Sequence, residues 1–239
     1  HAVIDLDAYA SNVSAMRERL EIHGPVALMA VIKANAYGHG LLLCGRTAIS
    51  AGADWLGVAR IEEGLQLRQA GIDVPTLALD PFNPALIGEA ARSNITVALG
   101  STDGLERIQP ALAKGDGHTL NVHLKIDSGM HRYGVLPEEA LATARAIRAE
   151  PGINLTGLFT HFATADEADV TPLNEQQRRF EQVRTQLADV GFDALTVHIT
   201  NSAATLRGIA PEPSNADRQL FRTGLALYGL SPSDDVPVP

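Results

Sequence analysis

A single cysteine, Cys44, excludes any disulfide within these 239 residues and fits a reducing, cytoplasmic compartment. It falls among Leu41, Leu42 and Leu43 in a helical pattern, which makes it a buried thiol rather than a nucleophile. Basic charge is also scarce: 19 Lys+Arg against 28 Asp+Glu give a net charge of −9. That balance argues against a nucleic-acid surface or an anionic membrane as partner. A small anionic ligand is compatible with it, because a local field can oppose the global sign. No apolar run reaches the ~18 residues of a membrane span, and no charged-apolar-small signal pattern opens the chain. Neither an H-x-x-x-H spacing nor a cysteine cluster is present, so no metal site is expected. There is no internal repeat, no low-complexity segment, and no G-x-G-x-x-G after an early strand.

What is present is an alternation. With 45% apolar and 20% charged residues the chain is of ordinary globular composition. Val3 to Leu6 reads as a short strand, followed by an amphipathic helix capped by Asp7 and running to Leu20. Apolar strand candidates then fall at 26–32, 54–58, 75–79, 94–99, 119–126, 153–160, 195–199 and 220–229. Helical patterns lie between them at 40–51, 60–70, 84–92, 101–113, 137–149, 173–190 and 202–208. In the 173–190 helix, Gln176, Arg178, Arg179 and Glu181 form the polar face, and Leu173, Phe180, Val183 and Leu187 the apolar one. Most strands are continuously apolar, as parallel strands covered on both faces are. Eight strands in βα alternation are the number that closes a TIM (β/α)8 barrel. A doubly wound open sheet shares the alternation, but the missing glycine fingerprint removes its usual support. The barrel is assigned to 1–230. Residues 231–239, rich in Pro, Ser and Asp, read as a linker toward a further domain. A first residue of His1 rather than Met suggests a processed, tagged or cut start.

In such a barrel, active sites form where the C-terminal ends of the strands meet. Those ends carry Lys33, Tyr37, Lys125, Asp127, Arg132, His161, His198, Asn201, Ser202, Arg222 and Gly224. A lysine closing an apolar strand is costly to desolvate; the same desolvation makes it a Schiff-base nucleophile. An ammonium that simply reaches into water is the plainer alternative. Asn201-Ser202 opens a helix after strand seven and Gly224 lies in strand eight, where barrels often hold a phosphate; a plain N-cap and a packing glycine also describe them. Arg132 offers a planar donor set suited to a carboxylate or phenolate. Lys125, a second buried-looking lysine seven residues earlier, would repel Arg132 unless it points away or has its charge reversed by carbamylation. His161 could stack on a ring, shuttle a proton or satisfy a core hydrogen bond. His198, inside a strand, suits the orienting of another residue. Asp166 and Glu167 read as solvated loop carboxylates.

Taken together, Val31–Gly40, Lys125–Gly134, Thr160–Glu167, His198–Ser202 and Arg222–Leu230 closely resemble the N-terminal domain of the alanine racemase family, fold-type III pyridoxal-phosphate enzymes. The resemblance covers 3–233 and starts at Val3-Ile4-Asp5-Leu6-Asp7. It implies cytoplasmic interconversion of L- and D-alanine, supplying D-alanine for peptidoglycan, with pyridoxal 5'-phosphate as cofactor. Lys33 would anchor the cofactor and act as one of two bases, serving the D-face of the substrate Cα. Tyr37, Ser202 and the backbone of Gly224 and Leu225 would hold the phosphate, and Asn201 and Tyr228 would also belong to the cofactor-binding set. His161 would lie against the pyridine ring, and Arg132 would meet the phenolic oxygen and the substrate carboxylate. Lys125, as N6-carboxylysine, would hold Arg132. Arg222 would face the pyridine nitrogen, with His198 behind it. An arginine there leaves that nitrogen unprotonated and the ring a weaker electron sink, which favours simple proton removal and return. The opposing base would be a tyrosine of a C-terminal β domain from the partner of a homodimer. Tyr9, Tyr133 and Tyr228 do not match it. A serine or broad-spectrum racemase, a non-catalytic pyridoxal-phosphate barrel, and a decarboxylase of the same fold are the alternatives. Arg222 argues against the decarboxylase, which would place an acid opposite the pyridine nitrogen.

Overall fold

Strands that are apolar on both faces need cover inside and outside, and a closed parallel barrel wrapped in helices supplies both. The computed structural model describes residues 3–112, 117–214 and 216–236. Its strands are β1 (Ala27–Val31), β2 (Trp55–Val58), β3 (Thr76–Ala78), β4 (Ile95–Leu99), β5 (Leu120–Lys125), β6 (Ile153–Phe159), β7 (Thr196–His198) and β8 (Arg218–Thr223). Each pairs in parallel with the next, and β8 closes on β1 through Leu28↔Phe221 and Met29↔Arg222. The barrel expected from the alternation is therefore present, and the open-sheet rival is excluded.

Alternate side chains of each strand serve two cores. Leu28, Ala30 and Ile32 join the large apolar layer between barrel and helices, whereas Met29, Val31, Leu77 and Leu220 form a separate small cluster in the lumen. Gly57 makes room for the second set, because a Cβ there would lie 2.8 Å from Met29 Sδ. One bulge re-aims a strand: Val122 pairs with Leu155 but His123 pairs with Gly157, so Thr156 is the extra residue of β6.

The helices are α1 (Leu6–Arg19), α2 (Leu41–Ser50), α3 (Ile61–Gln69), α4 (Ile87–Arg92), α5 (Thr102–Leu112), α6 (Ala140–Ala149), α7 (Thr171–Ala188) and α8 (Ser202–Leu206). Residue 113 of the expected 101–113 helix lies outside the described residues. Helix α1 precedes the first strand and closes the gap after the last one: Asn12 Nδ2 donates to Leu227 O at 3.1 Å, and the Tyr9 and Tyr228 rings lie 5.2 Å apart. Cys44 of α2 is fully buried, and burial raises its thiol pKa.

Several expectations need correction. Asp5, not Asp7, caps α1, accepting from Asp7 N (3.0 Å) and Ala8 N (2.9 Å), and residues 3–5 form no strand. The two aspartates are two positions apart, and only the first precedes the first helical residue. Strand β8 stops at Thr223; Gly224 (φ −128°, ψ −87°) breaks the ladder, and Leu225–Tyr228 is a 3-10 turn. Gln176 is 4% exposed rather than on the polar face of α7, because it serves a loop described below. Residues 231–236 include Val236, 3% exposed and packed into the main core; 237–239 lie outside the described residues.

Candidate active site

The mouth at the C-terminal ends of the strands holds a cavity of ≈ 390 Å³. Lys33, Tyr37, Lys125, Arg132, His161, Asn201, Ser202, Arg222, Gly224 and Leu225 all line it. His198 lies beneath Arg222. Tyr228 does not line the cavity; its ring packs 5.0 Å from Tyr37 and 4.8 Å from His39, on the side of α1. Asp166, expected to be solvated, is half-buried on the cavity wall, while Glu167 is exposed.

Lys33 does not end a strand. Strand β1 stops at Val31, and Lys33, half-buried, begins a single turn in which Ala34, Asn35, Ala36 and Tyr37 have φ of 53°, 56°, 54° and 52°. This is a left-handed turn built from L-residues without glycine, a conformation that costs roughly 1–2 kcal/mol per residue. Tertiary hydrogen bonds hold it. Glu63 of α3 accepts from Asn35 N at 3.0 Å with one oxygen and from Ala59 N at 2.8 Å with the other. Asn35 Oδ1 in turn accepts from Leu41 N at 2.8 Å, at the start of α2. Strain this well determined clusters at functional positions. Here it brings Lys33 and Tyr37 to the same cavity. Burial raises the Tyr37 phenol pKa, and its hydroxyl lies against the chain just after β8, where a Cβ on Gly224 would be 2.7 Å away.

Across the mouth, Ser202 Oγ accepts from Gly224 N (2.9 Å) and Ala226 N (3.3 Å), tying the start of α8 to the turn after β8. Asn201 is the N-cap, its Oδ1 accepting from Ala204 N at 3.0 Å. The plain N-cap reading is thus true of Asn201, while Ser202 faces the cavity.

Asp127 shapes the segment that presents Arg132. One carboxylate oxygen accepts from Gly129 N (3.1 Å) and His131 N (2.9 Å), the other from Arg132 N (3.1 Å). Burial alone would raise its pKa, but these amide hydrogen bonds outweigh it and the net shift is downward. Gly134 is required here: with φ at +145°, its Cβ would sit 2.6 Å from Asp127 N. The Arg132 side chain is exposed and lines the cavity.

Lys125 points into the lumen, 6% exposed, with Nζ 5.0 Å from the Tyr133 ring centre and 5.7 Å from that of Phe159. Among the described residues its ammonium has no hydrogen bond or ion pair. Burial, then the Arg132 and Arg222 charges, lower its pKa to about 8. Arg222 is 4% exposed and gives its protons to neutral acceptors. Its NH1 donates to His198 Nδ1 and His198 O, and its NH2 to Thr160 O, all at 2.8 Å. Burial lowers its pKa to about 9, which leaves it charged at neutral pH. His161 Nδ1 lies 3.4 Å from the same NH2, and burial with the surrounding cations keeps this imidazole neutral. Gln176 fixes the loop after β6 by donating to His161 O (3.3 Å) and accepting from Ala163 N (2.9 Å).

Three lining or supporting residues were not anticipated. Asp80 follows β3 at the rim, and the strand-end criterion applied elsewhere would have found it. Phe159 stacks on His198 with ring centres 4.5 Å apart. His123 bonds His198, with Nδ1 2.8 Å from Nε2. Its parity with Lys125, two residues apart on β5, was the available signal.

The arrangement is a (β/α)8 barrel whose mouth gathers four cationic side chains against two carboxylates, Asp80 and Asp166. That is a receptor for an anionic small molecule. Comparison with known proteins narrows the class. Residues 4–232 match the family model described as alanine racemase, N-terminal domain, and the chain belongs to that family. It is 41% identical to the alanine racemase of Desulforamulus reducens over 98% of its own length and 62% of that protein's. Alanine racemase 2 of Bacillus subtilis is 38% identical over 96% of this chain and 57% of the relative. The crystal structure of alanine racemase from D-cycloserine-producing Streptomyces lavendulae superposes with a TM-score of 0.87 at 38% identity, covering 99% of this chain and 60% of that one. The chain thus spans about three-fifths of the length of these relatives.

Proposed function

We propose that this chain is the cofactor-binding barrel of an amino-acid racemase, that its cofactor is pyridoxal 5'-phosphate, and that alanine is its substrate. The observation that carries the reading is the union of Lys33, Lys125, Arg132 and Arg222 in one cavity, Lys125 and Arg222 of them buried, in a chain of the alanine racemase family. The residues present fit the group. Ser202, Tyr37 and the backbone at Gly224 and Leu225 would receive its phosphate, and the bare Cα of Gly224 leaves the Tyr37 hydroxyl room to approach. His161 would lie against the ring, Arg222 would meet the ring nitrogen, and Arg132 the phenolic oxygen.

When bound, the cofactor withdraws electron density from the substrate Cα and makes its proton removable. Lys33 would carry the cofactor and take or return that proton at Nζ on one face. Arg132 would orient the substrate carboxylate. Arg222, charged and unable to pass on a proton, would hold the ring nitrogen by donation alone. Lys125 would take up CO2 as a carbamate: an amine with a pKa of about 8 has an appreciable free-base fraction near neutrality, and reversing its charge removes its conflict with Arg132. In the protein extended to the length of its relatives, a homodimer would supply the second base.

Borohydride trapping tests the anchor. The chain incubated with pyridoxal phosphate condenses with loss of water, and after reduction of the C=N bond the peptide containing Lys33 should carry a phosphopyridoxyl group, while Lys33→Ala should carry none. Labelling of another lysine, or equal labelling in Lys33→Ala, would overturn the assignment.

A further inference from the structure

Behind Arg222 runs a line of side chains whose proton positions are dictated from one end. Arg222 can only donate. His198 Nδ1, 2.8 Å from NH1, must therefore be the bare nitrogen of that ring. The proton of a neutral His198 then sits on Nε2, which lies 2.8 Å from His123 Nδ1. That nitrogen of His123 must in turn be bare, and its proton sits on Nε2. There the line stops: among the described residues, no acceptor lies within reach of His123 Nε2, although the ring is fully buried. Both rings are kept neutral by burial, reinforced by the Arg222 charge. The surroundings favour the same state. His198 stacks on Phe159, the Trp55 ring lies 5.6 Å from His123, and Gly157 opposite has no Cβ, which would fall 2.5 Å from the His123 ring.

We propose that His123 is a positioning residue for Arg222: by accepting from His198 Nε2 it locks the tautomer of His198, which leaves Nδ1 permanently open to the guanidinium. A locked, neutral, dead-ended pair has a second consequence. No proton can be relayed from the barrel interior to the inner end of the cavity, so Arg222 meets whatever binds there as a fixed charge with fixed hydrogen bonds. The lock follows from the hydrogen-bond geometry alone; its use in holding a ring nitrogen unprotonated rests on the function proposed above.

The substitutions that test this differ in one atom's chemistry. Asparagine can place Oδ1 where the accepting Nδ1 of His123 lies, whereas leucine fills similar space and cannot accept. Nitrogen-15 NMR of the 239-residue chain without cofactor should show His123 and His198 as neutral Nε2–H tautomers, with scalar coupling across the His198 Nε2–H···Nδ1 His123 hydrogen bond. His123→Asn should keep the slowly exchanging His198 Nε2–H signal, and His123→Leu should lose or shift it. Binding of pyridoxal phosphate should stay within about threefold of the parent in His123→Asn and weaken about tenfold or more in His123→Leu, the scale of losing a buried hydrogen bond in a charged network. A parent spectrum with either ring protonated on Nδ1, or with both nitrogens protonated at neutral pH, would overturn the lock, and it needs no variant to fold. Leucine and asparagine variants that bind alike would overturn the positioning role. If the parent chain binds no cofactor while the tautomer pattern holds, the functional reading fails and the lock stands.

Discussion

Lys125 is the residue whose environment contradicts its charge most sharply. Its ammonium is 6% exposed and faces two arginines, a conflict that the Tyr133 and Phe159 ring faces and the weaker attraction of the Asp80 and Asp127 charges offset only in part. Its pKa falls from 10.5 to about 8, mainly through burial. The unfolded chain therefore binds more protons than the folded one between about pH 8 and 10.5, so stability rises with pH across that window. Below pH 8 the full penalty applies, about 3 kcal/mol for a shift of this size. Lys125→Met should accordingly stabilise the chain by about 2–3 kcal/mol at pH 7 in CO2-free buffer, and by little near pH 10.5. Urea titrations at the two pH values measure this. Added bicarbonate should shrink the methionine advantage, because a carbamate on the parent lysine removes the like charge. No advantage at pH 7 without CO2 would refute the penalty.

At the scale of elements, the turn after β1 was the least legible part of the chain. Ala34-Asn35-Ala36-Tyr37 contains no glycine, and alanine favours the right-handed helix, so nothing local marks a left-handed turn. The conformation is imposed from outside, by Glu63 on a helix 28 residues away from Asn35. The same limit applies to Gln176, whose polar character suggested a solvent face and whose partners, His161 O and Ala163 N, are visible only in three dimensions. The strands were legible because burial on both faces leaves a continuous apolar signature that survives without knowledge of neighbours. The turn makes an unusual prediction. Ala34 is exposed at φ 53°, a region glycine enters freely. Ala34→Gly should leave stability unchanged or raise it by up to about 1 kcal/mol, relief of strain offsetting the greater freedom of the unfolded chain. Ala142→Gly, on an exposed position of the right-handed α6, should instead lose about 1 kcal/mol. Equal losses at both sites by chemical denaturation would mean that the turn stores no strain.

Over the whole molecule, barrel closure turns sequence into site: residues from 33 to 225 reach one mouth because every strand points the same way. This is why strand-end residues could be grouped before any side chain was placed, while His123, deeper in the lumen, falls outside the strand-end criterion and is marked only by its parity with Lys125. Closure also sets a local field against the global one, since a chain of net charge −9 gathers four cations at its mouth. In the proposed function the described residues of the mouth supply one of two bases, Lys33. On the function proposed above, racemisation would remove a proton from one face of Cα and return it to the other, and Lys33 would serve one face only. The chain spans about three-fifths of the length of its relatives, and the family resemblance assigns the opposing tyrosine to a region beyond it. Half of a two-base system should still perform half of the reaction. In D2O with pyridoxal phosphate, the 239-residue chain should exchange the Cα proton of D-alanine at least about a hundredfold faster than that of L-alanine, the contribution expected of one positioned general base. Net conversion between the enantiomers should stay near the background of cofactor alone, and Lys33→Ala should exchange neither. Following the Cα–H signals of both enantiomers by proton NMR decides it: equal exchange of the two, or brisk racemisation by this chain alone, would mean that a second base already lies within the barrel.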